Sequence, residues 1–452
     1  MKQSLRLLLL GLLLAASPDA AGQLPTIITE IPAPVPETTV FSPSLRFEGK
    51  VVEQLANGRS VREVAYLRGR KFVWQGRLAN RIATPERLVD DGGLVPAIEQ
   101  LTRDELAKEL RGVALFNGHQ FQEAEPAYDL ADEVIRLREQ ELKDPSGARS
   151  SLGKSPAQGN AVYTRELEVA GAIQRQAPDA SSLALGGLRA IGPAVPQIVH
   201  GAADDRDVMN NTIYPHRAQI VFDNTGLTSV INGAEGSGTL IGPSTAMSVA
   251  HVFWDETADT WEADHRWAPG YDSLDANPSP YGEWYGCYWV TIPTAYTNGN
   301  SSAHDYAVLD FDVGCNIVRD GVNSDEPGST VGWLGFYTAS SSDIESHTGY
   351  VRGYPGLGTC GNPGVSCNIR VWGDTSSASE NNATSNMIEH QADTSGGQSG
   401  SGFYHYADPS CGGCGYGPYL VGMHRAGSTN YNLARRFDST VYSFLQAYSS
   451  DY

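Results

Sequence analysis

The sequence has 452 residues and a formal net charge of −20, which lies almost entirely in its second part. Residues 199–452 contain 28 acidic residues, 9 arginines and no lysine, a balance of −19, whereas residues 1–198 balance to −1. A surface this negative repels nucleic acids and anionic membranes, which excludes both as partners.

The first 22 residues have the pattern of a secretory signal peptide. Lys2 and Arg6 precede an apolar run from Leu7 to Ala16, and small residues follow it. The apolar run is too short to span a bilayer. We expect residues 1–22 to be removed and the remaining protein to be secreted and extracellular, where disulfides can form.

Residues 23–198, the N-terminal region, are mixed in character. A proline-rich stretch at 24–43 favours an extended chain, and residues 46–80 indicate strands. Residues 96–143 have apolar positions every three or four residues, which predicts helices there. Turn-forming residues at 145–160 predict a linker.

Residues 199–452, the C-terminal region, indicate an all-β fold. Short apolar runs such as "RAQIVF", "GTLIG", "YWVTI" and "YLVGMH" alternate with clusters of Gly, Asn, Asp, Ser and Pro. Many short strands separated by turns are typical of β-sandwiches and barrels. The length suits two small barrels or one large one, and the run at 439–448 predicts a closing C-terminal helix.

All six cysteines lie in the C-terminal region. Six half-cystines allow fifteen pairings. Pairing nearest neighbours in sequence gives Cys287–Cys315, Cys360–Cys367 and Cys411–Cys414. The last pair, in "CGGC", is also compatible with a redox motif or a zinc half-site, although the chain has no second Cys-x-x-Cys to complete a metal site.

Three motifs carry a catalytic pattern, in chain order. "TAMSVAHVF" contains His251, "SSAHDYAVLDFD" contains Asp305, and "GGQSGSG" contains Ser399. Serine is a weak nucleophile unless an imidazole accepts its proton, and a buried carboxylate orients and stabilises that imidazole. The order His, Asp, Ser is that of chymotrypsin-type triads. We therefore predict His251, Asp305 and Ser399 as the catalytic residues of a serine endopeptidase.

The glycines around Ser399 have two interpretations. A Gly/Ser run can be a flexible linker. It can also be a tight loop whose backbone N–H groups stabilise the oxyanion of the reaction, because glycine permits the required turn. The neighbouring motifs favour the loop, and we predict the amides of Gly397 and Ser399 as the oxyanion hole. Isolated histidines are usually structural, and His304, next to Asp305, is expected to be a bystander.

These blocks resemble the glutamyl endopeptidases, secreted chymotrypsin-fold serine proteases of bacterial type. The similarity extends discontinuously over residues 199–440, and it includes "DDRDVMNNTIYPHRA", "LIGPSTAMSVAH", "HDYAVLDF", "GYPG", "DTSGGQSGS" and "CGGCGYGPYLVGMHRAG" in the family's order. The resemblance implies two antiparallel six-stranded β-barrels with the triad in the cleft between them. It also supports a Cys411–Cys414 disulfide.

The resemblance also implies a substrate pocket. Thr394 and His424 match the family's residues that hold an acidic P1 side chain, and a hydroxyl and an imidazole are suitable donors to a carboxylate. The family uses the α-amino group of the mature N-terminus in the same pocket, and in this chain that terminus is expected at Val199. Cleavage there makes residues 23–198 the propeptide of a zymogen.

Two residues leave the specificity open. Asp393 precedes Ser399 by six residues, where trypsin-like enzymes hold the carboxylate that binds Arg or Lys, so a trypsin-like specificity is the alternative. Arg425 could add positive charge to the pocket or face solvent. Glu is scarce in residues 199–452, with 8 against 16 in residues 1–198, which suits an enzyme that cuts after Glu.

The sequence thus predicts a signal peptide at 1–22, a propeptide at 23–198 and a trypsin-like serine protease domain at 199–452. The expected partners are protein or peptide substrates and the chain's own propeptide, and a monomer is expected. No cofactor or catalytic metal is expected, while the surplus of aspartates leaves a structural calcium open. The competing hypothesis is a catalytically inactive homologue that acts as a secreted binding protein.

Overall fold

The computed structural model describes most of the chain between Leu45 and Asp451, within one compact unit. The described residues are 45–55, 58–78, 101–143, 199–200, 204–224, 231–256, 258–262, 265–299, 301–313, 318–319, 326–356, 358–361, 365–380, 386–407, 417–427 and 431–451. The predicted signal peptide and the linker at 145–160 lie outside them. Among the described residues, no helix has the length and apolar character needed to cross a membrane.

The first sheet joins the two regions of the chain. Its strands are β1 Leu45–Gln54, β2 Ser60–Leu67, β3 Arg70–Arg77, β4 Gly112–Phe116, β5 His119–Glu123, β7 Gln219–Asp223, β8 Gly236–Leu240, β9 Thr245–Ser248, β12 Arg266–Pro269, β13 Glu283–Tyr285, β14 Trp289–Pro293, β15 Ala307–Asp310 and β16 Val318–Arg319. They lie in the order β1-β2-β3-β5-β4-β14-β15-β9-β8-β7-β12-β13-β16. Five of the thirteen strands therefore come from the N-terminal region, and they include the strands predicted within 46–80.

The second sheet has nine strands, all from the C-terminal region. They are β6 Asp207–Val208, β17 Gly335–Phe336, β18 Gly349–Gly353, β21 Trp372–Ser376, β22 Ala378–Glu380, β23 Met387–His390, β24 Gly402–Ala407, β25 Gly417–Gly427 and β26 Asn432–Arg436. The order is β22-β23-β26-β25-β24-β18-β21-β6, and β17 pairs with β25 in the single parallel contact of the described ladders. Two small ribbons complete the strands, β10 Trp254–Asp255 with β11 Thr260–Trp261 and β19 Thr359–Cys360 with β20 Val365–Ser366.

All but one of the described helices are short, and the last one closes the C-terminal region. They are α1 Arg103–Glu109, α2 Tyr128–Lys143, α3 Thr294–Thr297, α4 Ser301–His304, α5 Pro327–Val331, α6 Ser341–Ser346 and α7 Ser439–Ala447. The carboxylate of Asp438 caps α7 by accepting the N–H groups of Thr440 and Val441. The predicted all-β C-terminal region with a closing helix is confirmed.

The N-terminal region differs from its prediction after α1. The apolar run Gly112–Phe116 is the strand β4, where a helix is expected from the sequence. A two-residue turn at Asn117 and Gly118, with φ of 46° and 75°, returns the chain to β5. Asn-Gly favours this left-handed hairpin turn, so turn chemistry overrides the helical periodicity. The helix prediction is wrong at 112–116, whereas α2 is confirmed.

One of the predicted disulfides is fully described. Cys360 and Cys367 are bonded, with their Cα atoms 5.2 Å apart. Cys287 is also in a disulfide. Its predicted partner Cys315, and the predicted pair at 411 and 414, lie outside the described residues, so these pairings stay predictions.

Candidate active site

Neighbouring strands bring His251 and Asp305 together. His251 lies in a 3₁₀ turn directly after β9, and Asp305 lies between α4 and β15. β9 and β15 are paired, with Ala307 opposite Ser248. The imidazole Nδ1 of His251 lies 2.7 Å from Oδ2 of Asp305, and the backbone N–H of His251 donates to Oδ1 at 3.0 Å. Asp305 therefore fixes the orientation of the ring, as a proton-accepting imidazole requires.

Arg425 is buried beside this pair, a contact that the sequence does not predict. Its Nε donates to Oδ2 of Asp305 at 2.7 Å, and the residue is 3% exposed, so the interpretation that Arg425 faces solvent is wrong. Burial alone would raise the pKa of Asp305, but the charges and hydrogen bonds of His251 and Arg425 outweigh it and hold this pKa below its usual value. Asp305 is consequently ionised at neutral pH.

Ser399 is joined to the same group of contacts through Arg425. Its hydroxyl donates to the backbone carbonyl of Arg425 at 3.2 Å. Arg425 thus contacts Ser399 with its main chain and Asp305 with its side chain, and the structure brings all three predicted catalytic residues to one place. Among the described contacts, no hydrogen bond joins Ser399 Oγ to the ring of His251. Catalytic hydrogen bonds are often long before substrate binds.

Two glycines permit the shape of the Ser399 loop. Gly397 and Gly400 have φ of +90° and +86°. A Cβ on Gly397 would lie 2.4 Å from the backbone N of Gly356, so the position admits only glycine. The amides of Gly397 and Ser399 donate to no acceptor in the described part of the chain, which leaves them available to a substrate oxygen. The loop is partly buried and held by hydrogen bonds, unlike a flexible linker.

The two predicted pocket residues are buried, and one of them contacts a second histidine. Thr394 and His424 are 2% and 3% exposed. Nε2 of His390 lies 3.4 Å from Nδ1 of His424, a contact that the sequence does not predict. Burial, with a smaller effect from the charge of His251, lowers the pKa of His424 to about 3, and burial also lowers that of His390. The pocket imidazoles are therefore neutral at neutral pH.

The carboxylate of Asp393 forms hydrogen bonds with the segment that follows Val199. One carboxylate oxygen accepts the N–H of His200 at 2.6 Å, and the other accepts the N–H of Asp205 at 3.0 Å. The structure therefore places Val199 close to Asp393, which directly precedes Thr394. Both oxygens of the buried Asp393 already accept hydrogen bonds from backbone N–H groups. This carboxylate therefore differs from one that is free to bind a substrate cation.

No protein-family model matches the sequence. Among curated proteins, the chain is similar to the extracellular metalloprotease of Bacillus subtilis (strain 168), with 25% identity over 266 residues that cover 56% of this chain and 71% of that protein. Among solved structures, it is similar to a Glu endopeptidase in complex with MPD, with a TM-score of 0.41, 19% identity, and coverage of 55% of this chain and 98% of that chain.

Two further solved structures are similar to this chain. A thermostable serine protease, AL20, from an extremophilic microorganism has a TM-score of 0.37 and 16% identity, covering 52% of this chain and 96% of that chain. The protease Anisep from Arthrobacter nicotinovorans has a TM-score of 0.37 and 15% identity, covering 54% of this chain and 98% of that chain.

Arg206 connects the segment after Val199 to the Ser399 loop. Arg206 is 1% exposed and forms an ion pair with Asp204 at 2.6 Å. Its NH1 also donates to Oγ of Ser395 at 2.7 Å and to Oε1 of Gln398 at 2.9 Å. The Asp-Arg pair that carries part of the sequence resemblance therefore supports the loop that presents the predicted nucleophile.

The metalloprotease name of the Bacillus relative raises the question of a metal site. Among the described residues, one group of His, Cys, Asp or Glu side chains could share an ion, namely Asp205, Asp374 and Asp393, with ligand atoms within 4.8 Å of one another. Catalytic zinc is normally held by histidine as well, whereas a set of carboxylates alone suits Ca²⁺. Oxygens of Asp374 and Asp393 already accept backbone N–H groups, so the cluster alone does not indicate a bound ion.

The same carboxyl groups should make stability depend on pH. Burial, aided by the charge of Asp205, raises the pKa of both Asp374 and Asp393 to about 6, whereas an unfolded Asp titrates near pH 4. The folded state therefore binds more protons between about pH 4 and 6, and these groups should add stability as the pH falls from 7 towards 4. Thermal melts of the protein across this pH range measure the slope.

The matched variant for this pH effect is Asp374→Asn. It removes one titrating group, so it should flatten the dependence of the melting temperature on pH between 7 and about 4. A slope identical in the two proteins would contradict the assignment of the effect to the cluster.

Proposed function

We propose that the protein is a secreted serine endopeptidase, made as a zymogen and cut near Val199. The observation that carries the proposal is the set of contacts in which Asp305 binds both His251 and Arg425 while Ser399 binds the backbone of Arg425. The similarity to an extracellular protease of Bacillus subtilis supports peptide hydrolysis outside the cell.

The reaction is acyl transfer to Ser399 followed by hydrolysis. Oγ of Ser399 attacks the scissile carbonyl carbon while its proton passes to Nε2 of His251, and ionised Asp305 stabilises the imidazolium that forms. The amides of Gly397 and Ser399 donate to the oxyanion. His251 gives the proton to the leaving amine, and it then accepts a proton from the water that hydrolyses the acyl-enzyme.

The proposed P1 residue is Glu or Asp. The hydroxyl of Thr394 and a ring N–H of neutral His424 can donate to a substrate carboxylate, and buried donors make such bonds strong. The α-amino group that a cut at Val199 releases would lie near the same pocket. The carboxylate of Asp393 accepts two backbone N–H groups, which disfavours a role in binding a substrate Arg or Lys.

Matched fluorogenic peptides that differ only at P1 test this specificity. The processed protein should cleave most rapidly after Glu. His424→Ala should lower kcat/KM for the Glu peptide roughly 10- to 100-fold, because a lost hydrogen bond to a charged group costs about 1.5–3 kcal/mol. His347→Ala, which changes a histidine on a different part of the C-terminal region, is the matched control and should leave kcat/KM unchanged.

Faster turnover after Arg, abolished by Asp393→Ser, would replace the glutamyl specificity with the trypsin-like alternative. In that case His424→Ala would have little effect on the preferred peptide.

A metal-dependent protease is the second candidate, on the name of the Bacillus relative. The same peptide assay separates the two classes. Activity that a zinc chelator removes and added zinc restores would favour the metalloprotease. Irreversible loss of activity with a phosphonate that becomes attached to Ser399, identified by mass spectrometry, would favour the serine enzyme.

A further inference from the structure

The N-terminal region binds the C-terminal region through a continuous β-sheet. β4, Gly112–Phe116, is paired residue for residue with β14, Trp289–Pro293. Just beyond this ladder, the backbone N–H and the hydroxyl of Thr294 donate to the carbonyl of Arg111 at 2.8 and 2.7 Å. On its other side β14 pairs with β15, so without β4 it would be an exposed edge strand that can pair with other chains.

Aromatic rings of the N-terminal region cover Trp289 of β14. The indole is fully buried, and its ring centroid lies 5.1 Å from those of Phe72 and Phe121 and 6.2 Å from that of Phe116. These three phenylalanines belong to β3, β5 and β4. The largest apolar cluster of the described residues therefore crosses the boundary between the two regions, and separating them would expose Trp289 to water.

The end of the C-terminal helix is held by the same surface. The hydroxyl of Tyr448, just after α7, donates to Oε2 of Glu123 at 2.6 Å. NH1 of Arg68 donates to the carbonyls of Gln446 and Ser449 at 2.9 and 2.6 Å, and so caps the end of α7. Gly112 allows this close contact, since a Cβ there would lie 3.0 Å from the ring of Tyr448.

The contact between the regions also reaches the neighbour of a predicted catalytic residue. Nε2 of His304 lies 3.7 Å from Oε2 of Glu109, at the end of α1. His304, the expected bystander, precedes Asp305 and is 1% exposed. His304 therefore lies at the contact with the N-terminal region.

We infer that residues 45–143 stay bound to residues 199–452 as a non-covalent subunit after the chain is cut. The inference rests on the proposed cut near Val199. A strand ladder, a buried aromatic cluster and a capped helix end all lie in this one contact, and none of them depends on the covalent connection. The occupant of the β14 edge is thus the chain's own N-terminal region, which completes the first sheet and shields it from other chains.

The test uses the full chain with Ser399→Ala and a site-specific protease sequence in place of the residues just before Val199. After the added protease cuts the chain, size-exclusion chromatography at micromolar concentration should give one peak that contains both pieces in equal amounts. The cut protein should also melt in one transition. Because the readout is co-elution of an inactive protein, this test is independent of whether the serine-protease proposal holds.

Two variants and one control variant test which residues form the contact between the regions. Phe72→Ala removes the ring that touches Trp289 and should weaken the association of the pieces roughly 100-fold or more. Phe47→Ala is the matched control, because the ring contacts of Phe47 are to Phe116 and Phe121 of its own region. Arg68→Ala, on an exposed turn, should keep the fold and weaken association about tenfold.

Separation of the pieces in native buffer at micromolar concentration would overturn the inference, and the N-terminal region would then be released on cutting. Equal effects of Phe72→Ala and Phe47→Ala, together with no effect of Arg68→Ala, would overturn the assigned contact. Co-elution that Phe72→Ala and Arg68→Ala weaken more than Phe47→Ala would support it.

Discussion

Replacing Ser399 with alanine will lower kcat for the preferred peptide by a factor on the order of 10⁶, the size of the effect that loss of the nucleophile has in a serine protease. Alanine cannot form the acyl-enzyme, so the two-step route is lost, while the oxyanion donors and the substrate pocket remain. The expected KM is therefore nearly unchanged. Fluorogenic turnover of the processed protein, followed to low residual rates, measures the effect.

Two further variants make this result specific. Ser401→Ala makes the same change two residues away, at a buried hydroxyl with no hydrogen-bond partner among the described contacts, and should leave kcat within a few-fold. The double variant of Ser399→Ala with His251→Ala should be no slower than either single variant, because the two residues act as one unit. Equal, negligible turnover by the wild-type protein and Ser399→Ala would favour the inactive binding homologue.

Local sequence patterns predict much of the fold and part of the site. The alternation of short apolar runs with turn residues correctly gives an all-β C-terminal region, and the motif around each predicted catalytic residue places it next to a strand or in a tight glycine loop. His251 and Asp305 meet because the strands that carry them are paired. The spacing of the two residues along the chain does not predict that these strands pair.

The missed contacts depend on residues far apart in the chain. An arginine is normally expected at the protein surface. Only the ion pair with Asp305, 120 positions earlier in the chain, explains why Arg425 is buried. His390 lies at the end of β23 and meets His424 across strands of the second sheet. Neither residue lies in a local sequence pattern or motif that indicates a role in the site. These contacts can therefore be recognised only once the fold is known.

The joined sheet could not be predicted either. The pattern of β4 resembles helix when read with α1, and a ladder between β4 and β14 leaves no signal in either segment alone.

Replacing Asp305 with asparagine will have two separable effects. An amide does not stabilise the imidazolium of His251 and favours the wrong tautomer, so kcat should fall by about 10⁴. The same change also removes the buried ion-pair partner of Arg425, and breaking such a pair costs about 3–5 kcal/mol of unfolding free energy. Turnover at a temperature where the variant is folded, together with chemical denaturation, measures the two effects.

A second substitution separates catalysis from stability. In Asp305→Asn combined with Arg425→Met, the unpaired buried cation is replaced by an apolar side chain, which should recover most of the lost unfolding free energy. It should not recover kcat, since the carboxylate that orients His251 is still absent. Recovery of activity in the double variant would mean that Asp305 acts mainly by neutralising Arg425, and the triad assignment of Asp305 would be abandoned.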